Sequence, residues 1–164
     1  MSSFVRQAAT RADAAVLQDA AALVARARGL ADADGLTRKP LSGKRLALLS
    51  DTQGDDSVRE FVQAATALGA HVSLVLPGLD EGSSEAQIDA VARMLGRLYD
   101  AVECQHLPLA VVRRIAQGSD IPIFAGLATP EHPTAALADE LPGSKPPALR
   151  RSHIVQAALL LSLN

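Results

Sequence analysis

The sequence predicts a single α/β domain in which helices flank a four-stranded parallel sheet. Four short apolar runs each precede a stretch whose apolar residues recur at helical spacing. Strands that alternate with helices form parallel sheets joined by right-handed crossovers and covered on both faces. The length of 164 residues suits one domain with a sizeable core.

The four apolar runs are predicted to be strands, and the patterns after them crossover helices. We expect the strands at 45–50, 71–76, 100–104 and 121–126, and the crossover helices at 57–69, 85–98 and 108–117. Ser84 and Gln87 form a capping-box pattern before the second of these helices. Pro108 and Gly118 suit the two ends of the third. The buried face of the second helix is predicted to hold Ile88, Val91, Ala92, Leu95 and Leu98.

Further helices are predicted near both ends of the chain. Residues 11–29 read as one long amphipathic helix with Gly29 as its C-terminal cap. A short helix is expected to begin at His132 or Pro133 and to stop at Pro142. The last helix, with Ser152 as its N-cap, is apolar on nearly every side and must therefore be well covered. The predicted division is 1–40 for the N-terminal helix and loop, 41–141 for the α/β core, 142–150 for a linker and 151–164 for the C-terminal helix.

Composition excludes several classes of function. Net charge is −2 and aromatic residues make up 2% of the chain, which argues against a nucleic-acid surface. The single cysteine, Cys104, rules out an internal disulfide framework and is expected to be an inert buried thiol. No apolar stretch approaches the length of a membrane span, and the first fifteen residues carry charges where a signal peptide needs an apolar segment. We expect a cytoplasmic protein without a cofactor.

The polar stretch SDTQGDDSVRE, residues 50–60, lies between the first strand and its helix. A loop in this position often binds an anion, because backbone N–H groups and the helix dipole converge there. This loop instead carries Asp51, Asp55 and Asp56. We favour a capping role, in which Ser57 and Glu60 form a capping box and the aspartates place negative charge at the positive end of the helix.

An alternative treats the acidic residues as part of a cation site. Several carboxylate and imidazole side chains lie at the carboxyl ends of predicted strands, where α/β sheets place ligands. Such a group could bind a metal ion or an amine, although no tight ligand spacing supports it. Its members would be Asp51, Asp55, Asp56, Glu103, His106 and His132.

Four segments, in order along the chain, resemble the carbamoyl-phosphate-binding domain of the ornithine and aspartate carbamoyltransferases, most closely the ornithine branch. They are LSGKRLALL at 41–49, ALGAHV at 67–72, ARMLGRLYDA at 92–101 and DIPIFAGLATPEHPTAALAD at 120–139. The resemblance implies a sheet of strand order 2-1-3-4. The final RRSHIVQAALLLSL resembles the family's terminal helix, which returns to the first domain after a second, amino-acid-binding domain. We therefore expect that LPGSKPPALR replaces that second domain.

The resemblance also implies where a carbamoyl phosphate site would lie. The family's Ser-Thr-Arg-Thr phosphate motif falls on Gly54, Asp55, Asp56 and Ser57, so a carboxylate stands where an arginine would hold phosphate. The arginine after the third strand falls on Gln105. His132 and Thr134 match the family's His-Pro-Thr-Gln motif, whose glutamine falls on Ala135. The loop that carries a catalytic lysine in the aspartate branch is here DEGSSEAQ, without a lysine.

These departures predict a relative that kept the fold and lost the chemistry. We expect a binding, assembly or regulatory role, a homo-oligomer with a trimer as the first choice, and a possible partnership with an active transcarbamoylase. The alternative is a carbamoyltransferase component that binds carbamoyl phosphate weakly and needs a separate chain for the amino-acid substrate. Transfer needs both reactants held together, so this chain alone is not expected to catalyse it.

Overall fold

A computed structural model describes residues 8–32, 39–52, 54–141 and 145–163. Its four strands are all parallel and lie in the order β2-β1-β3-β4, which confirms the predicted fold class and strand order. The strands are β1 (Arg45–Leu49), β2 (His71–Val75), β3 (Ala101–Cys104) and β4 (Ile123–Ala125). The α-helices are α1 (Arg11–Gln18), α2 (Ala20–Asp32), α3 (Asp56–Ala67), α4 (Glu85–Leu98), α5 (Leu109–Gln117) and α6 (Pro147–Leu163), with a 3₁₀ helix at Pro133–Glu140.

Two apolar cores lie on opposite faces of the sheet. Successive side chains of a strand point to opposite faces, so Leu46 and Leu48 of β1 enter one core while Ala47 and Leu49 enter the other. Helices α1, α2, α3 and α6 cover the first core, and α4 and α5 cover the second. Cys104 is buried in the second core as predicted, and burial raises the pKa of its thiol.

The predicted long N-terminal helix is wrong, because the chain breaks at Asp19. Asp19 leaves the helical conformation (φ −127°, ψ 76°), and its carboxylate accepts the backbone N–H of Ala22 at 3.0 Å. A short acidic side chain commonly caps a helix in this way, so α2 starts afresh at Ala20. Gly29 lies inside α2 and is not a cap.

The last two helices also differ from expectation. The short helix after β4 is a 3₁₀ helix that ends at Glu140, before Pro142, and His132 is its N-cap. Helix α6 begins at Pro147, so the end of the predicted linker is helical and Ser152 is not the N-cap. Residues 142–144 of that linker lie outside the described residues. Helix α6 packs against α2, α3 and the 3₁₀ helix, and it buries most of its apolar side chains as expected.

Helices α4 and α5 largely follow the sequence. Ser84 and Gln87 form the predicted capping box, with Gln87 N–H donating to Ser84 Oγ at 3.1 Å and Ser84 N–H to Gln87 Oε1 at 2.8 Å. Pro108 precedes α5 as its N-cap, and Gly118 is its C-cap. Leu98, predicted to be buried, is instead 46% exposed because the last turn of α4 extends beyond the core. Among the described helices, we find none long and apolar enough to cross a bilayer.

Candidate functional site

The candidate site lies at the carboxyl ends of β1, β3 and β4, where the N-terminus of α3 also points. Open parallel sheets place ligands at this edge. The candidate site residues lie at the end of β3, in the loops that follow β1, β3 and β4, and at the starts of the helices that these loops enter.

Asp55 caps the N-terminus of α3, so the predicted capping box of Ser57 and Glu60 is wrong. Helix α3 begins at Asp56, and Asp55 Oδ1 accepts the backbone N–H of Ser57 at 3.3 Å. That hydrogen bond, together with one from His106, lowers the pKa of the Asp55 carboxyl. The expected electrostatic role is confirmed, because a carboxylate of the protein occupies the positive end of the helix.

His106 joins the same helix terminus. Its Nε2 lies 2.5 Å from Asp55 Oδ2, and its backbone adopts a left-handed conformation with φ 61°. This conformation is uncommon for residues other than glycine and costs about 1 kcal/mol. Asp56, the next residue of the acidic stretch, is exposed and pairs with Arg59.

Gln105 links α3 to β3 from a buried position. Its side chain is 1% exposed, and its Nε2 donates to the carbonyl oxygen of Ser57 at 3.1 Å and to Glu103 Oε2 at 3.3 Å. Within the described residues, the Gln105 Oε1 has no hydrogen-bond partner. The resemblance places an arginine at this position, which here holds an amide. The NH₂ group of that amide already donates to two oxygens of the protein.

Glu103 is a carboxyl group with no solvent exposure at the centre of this edge. Its Oε1 accepts the backbone N–H of Leu127 at 2.8 Å, and its Oε2 accepts that of Ala128 at 2.9 Å. These hydrogen bonds favour the ionised form, but burial dominates and raises the pKa of Glu103 to about 8. The loop donors that follow β4 are thus occupied by an internal carboxyl group.

Arg151 of α6 holds the same loop from its carbonyl side. Its Nη2 donates to the carbonyl oxygen of Thr129 at 2.7 Å and lies 3.4 Å from that of Leu127. Burial lowers the pKa of Arg151, while the negative charges of Glu60 and Glu103 oppose that shift. Glu103 and Arg151 together fix the conformation of residues 127–129.

His132 faces α1 through a buried pair with Asp13. Its Nδ1 accepts the backbone N–H of Thr134 at 3.2 Å, so its Nε2 carries the hydrogen and donates to Asp13 Oδ1 at 2.8 Å. Asp13 Oδ2 also accepts from Thr10 Oγ1 at 2.9 Å and from the Ala125 N–H at 3.0 Å. Both side chains of the His132–Asp13 pair are 1% exposed.

The predicted site residues therefore fall into two groups. Gly54, Asp55, Asp56 and Ser57 lie with Gln105 at the start of α3, whereas His132 and Thr134 lie in the network around Asp13. Glu103 stands between the groups, since it contacts Gln105 on one side and the loop before His132 on the other. In the described part of the chain, no group of three or more His, Cys, Asp or Glu side chains is placed to hold a metal ion. The six residues proposed as a cation site do not converge.

Sequence reasoning missed Asp13 and Arg151. The pattern Thr10-x-x-Asp13 is a helix-start signal, and Thr10 Oγ1 does accept the Asp13 N–H at 3.1 Å. That signal identifies the cap but not the partner, because His132 is 119 residues away along the chain. Arg151 is predicted only as the first residue of the last helix, and nothing local to it in the sequence indicates the carbonyl groups that it binds.

A parallel sheet of this order, with a helix N-terminus and three loops at one edge, defines an α/β domain built to present a ligand site at the ends of its strands. Comparison with known proteins identifies the family. Residues 7–142 match the family described as "Aspartate/ornithine carbamoyltransferase, carbamoyl-P binding domain". The chain belongs to the aspartate/ornithine carbamoyltransferase family.

Individual relatives cover the same part of the chain. It is 35% identical over 107 residues to an ornithine carbamoyltransferase of Actinobacillus pleuropneumoniae and 38% identical over 107 residues to one of Cutibacterium acnes. These matches include 65% and 64% of this chain but 32% of each relative, so the chain spans about a third of their length. The fold is similar to anabolic ornithine carbamoyltransferase from Campylobacter jejuni, with a TM-score of 0.61 and 24% identity over 75% of this chain and 40% of that one. Ornithine carbamoyltransferase from Thermus thermophilus gives the same TM-score and identity.

Proposed function

We propose that this chain is a carbamoyltransferase-derived domain that does not catalyse carbamoyl transfer and serves a binding, assembly or regulatory role. The observation that carries the proposal is that backbone N–H groups at the candidate site already donate to carboxyl groups of the protein. Asp55 takes the Ser57 N–H, and Glu103 takes those of Leu127 and Ala128. The protein's own carboxyl groups thus stand where an oxyanion would need to bind.

Charge at the start of α3 supports the same proposal. The lowered pKa of Asp55 keeps it ionised at neutral pH, and Asp56 stands at the position of the family's arginine. Asp56 is exposed and pairs with Arg59, so the dielectric constant is near that of water, where two unit charges about 4 Å apart interact by about 1 kcal/mol. A carboxylate in place of a guanidinium changes the sign of that term, so a phosphate dianion is repelled where it would be held.

The environment of His132 removes a second contact. The resemblance places this histidine in the carbamoyl phosphate site, yet its Nε2–H is directed to Asp13 and its Nδ1 to Thr134. Both ring nitrogens are therefore occupied. A ligand would have to break the Asp13 pair to use the imidazole.

The connection between the 3₁₀ helix and α6 supports the loss of the second reactant's domain. In the resemblance, a second domain lies between these two elements, whereas here residues 141–146 join them. Helix α6 still closes on α2 and α3, which leaves the first domain's core intact. We infer that ornithine has no binding surface on this segment.

Assembly is the role that the surface favours. Among the described residues, strand β2 lies at an unpaired edge of the sheet, and Leu74 within it and Leu76 just after it are 51% and 66% exposed. Exposed apolar residues along an unpaired strand edge favour association. We infer a cytoplasmic homo-oligomer, with a trimer as the first expectation and an active transcarbamoylase as a possible partner.

Calorimetric titration with carbamoyl phosphate tests the proposal. Wild-type protein is expected to give no binding heat at millimolar ligand, which corresponds to a free energy weaker than about −4 kcal/mol. The double variant D55T/D56R restores the family's residues and is expected to bind more tightly. D51N removes a nearby exposed carboxylate and is the matched control, expected to behave like wild type.

Saturable binding to the wild-type protein would overturn the proposal. It would favour instead a carbamoyltransferase component that needs a second chain for its amino-acid substrate. Co-purification of this chain with an active transcarbamoylase from the same cells would then indicate a regulatory subunit.

A further inference from the structure

A groove of about 410 Å³ lies between the starts of α4 and α5 and includes none of the candidate site residues. Its walls are apolar and its rim is acidic, with Ile88, Pro108 and Leu109 in the walls and Asp80, Glu81 and Glu85 along the rim. Leu109 is 47% exposed there. The one basic lining residue, Arg114, is already bound by both carboxylate oxygens of Asp89, at 2.9 and 3.0 Å. Arg114 also lies 3.7 Å from Glu85 Oε2, so among the described residues Asp80 and Glu81 are the rim carboxylates without a cation within ion-pair distance, and they stand beside the apolar walls.

The opposite end of α4 carries the complementary surface. Met94 and Leu98 are 40% and 46% exposed, and Arg93 and Arg97 are exposed beside them. Each pair is four residues apart, so the four side chains form adjacent stripes on the helix. In the described part of the chain, neither arginine has a carboxylate within ion-pair distance. We call this surface the basic end of α4.

We propose that the acidic groove binds the basic end of α4 from a second copy of this chain, head to tail. This inference rests on the assembly role proposed above and names its interface. Two-fold pairing of grooves is disfavoured, since it would place three carboxylates against three others. Charge complementarity instead favours groove against helix end, with apolar side chains in contact at the centre.

The two surfaces can be used at once by a single copy. Ile88 and Leu98 are ten residues apart on α4, which is about 15 Å along the helix. A head-to-tail contact of this kind generates a closed ring when the rotation between copies closes, and a filament when it does not. Because the contact includes charged groups on the surface, it is expected to weaken as salt rises.

Paired charge-reversal variants test the interface by sedimentation velocity. E81R/E85R makes the groove basic, and R93E/R97E makes the helix end acidic, so each variant alone is expected to self-associate at least about tenfold more weakly than wild type. An equimolar mixture is expected to regain association, as assemblies in which the two variants alternate and not as closed trimers, because the groove of one variant then fits the helix end of the other. R26E/R28E changes two exposed arginines of α2 by the same total charge and is the control, expected to assemble like wild type.

The remaining outcomes distinguish failure of this interface from failure of the homo-oligomer proposal. If both variants assemble like wild type, the interface is wrong while the homo-oligomer proposal stands. If wild type is a strict monomer at about 100 μM, the interface and the homo-oligomer proposal both fail. Circular dichroism establishes that each variant is folded, and M94A/L98A gives a second test that leaves the charges alone. Failure of the mixture to assemble, with both variants folded, would contradict head-to-tail pairing.

Discussion

The buried Glu103 carboxyl group predicts an unusual dependence of stability on pH. Its pKa is about 8 in the folded protein and near the ordinary 4.5 in the unfolded chain. Between these values the folded state holds a proton that the unfolded state has lost, so raising the pH favours unfolding. The stabilising proton is fully present below pH 4.5 and is lost as pH rises through 8.

The magnitude follows from that interval. Each pH unit is worth about 1.4 kcal/mol, so the full contribution is about 5 kcal/mol and the part between pH 5.5 and 7.5 is about 3 kcal/mol. The variant E103Q cannot ionise at this position. The amide of this variant places an NH₂ group against the Leu127 or Ala128 N–H, which lowers the free energy of unfolding by an amount independent of pH. That amount does not affect how the free energy of unfolding changes with pH.

Urea denaturation of both proteins at several pH values measures the effect. The free energy of unfolding of wild type, minus that of E103Q, is expected to fall by about 3 kcal/mol from pH 5.5 to 7.5 and to level off above pH 9. The exposed Glu140 supplies the control E140Q, expected to follow wild type. A difference that stays constant within about 0.5 kcal/mol across this range would refute the reasoning.

Three further substitutions test the local accounts. D13N removes the charge that holds His132 and Thr10, and it should cost about 2–3 kcal/mol in urea denaturation; a loss no larger than that of the exposed-site control D139N would contradict the buried network. D19A removes the cap of α2 and should cost about 1 kcal/mol, whereas Q18A should cost little; equal effects would show that the helix break does not depend on the Asp19 carboxylate. H106G relieves the left-handed backbone and removes a hydrogen-bond partner of Asp55, so the Asp55 pKa measured by NMR should rise towards 3.8. It should stay below 3.8, because the Ser57 N–H is the larger cause of the lowered pKa. An unchanged pKa would rule out the His106–Asp55 pair in solution.

The positions of the strands could be predicted because each apolar run is short and bounded by polar or glycine-containing segments, whereas their order was implied by the family resemblance. The break at Asp19 could not, since apolar residues keep helical spacing on both sides of it and only the local hydrogen bond to Ala22 decides. At the start of α3, Asp55 and Ser57 are both good caps. The choice between them depends on which residue leaves the helical conformation.

The candidate site was predictable in its location but not in its hydrogen bonds. Residues that follow strands must meet at one edge of a parallel sheet, so the grouping of Asp55 with Gln105 and His106 follows from topology. The pairing of His132 with Asp13, and of Glu103 with the Leu127 and Ala128 N–H groups, depends on how separate elements pack. Leu98 shows the same limit, because helical spacing identifies an apolar face but not where the core beneath it ends.

The central claim is that internal carboxyl groups occupy the backbone donors that an oxyanion would need. An NMR titration of the wild-type protein with carbamoyl phosphate, following the amide signals of Ser57, Leu127 and Ala128, tests it most directly. The account predicts that these three signals do not move up to millimolar ligand. A saturable shift at all three, with the Ser57 amide leaving Asp55 for the ligand, would contradict it.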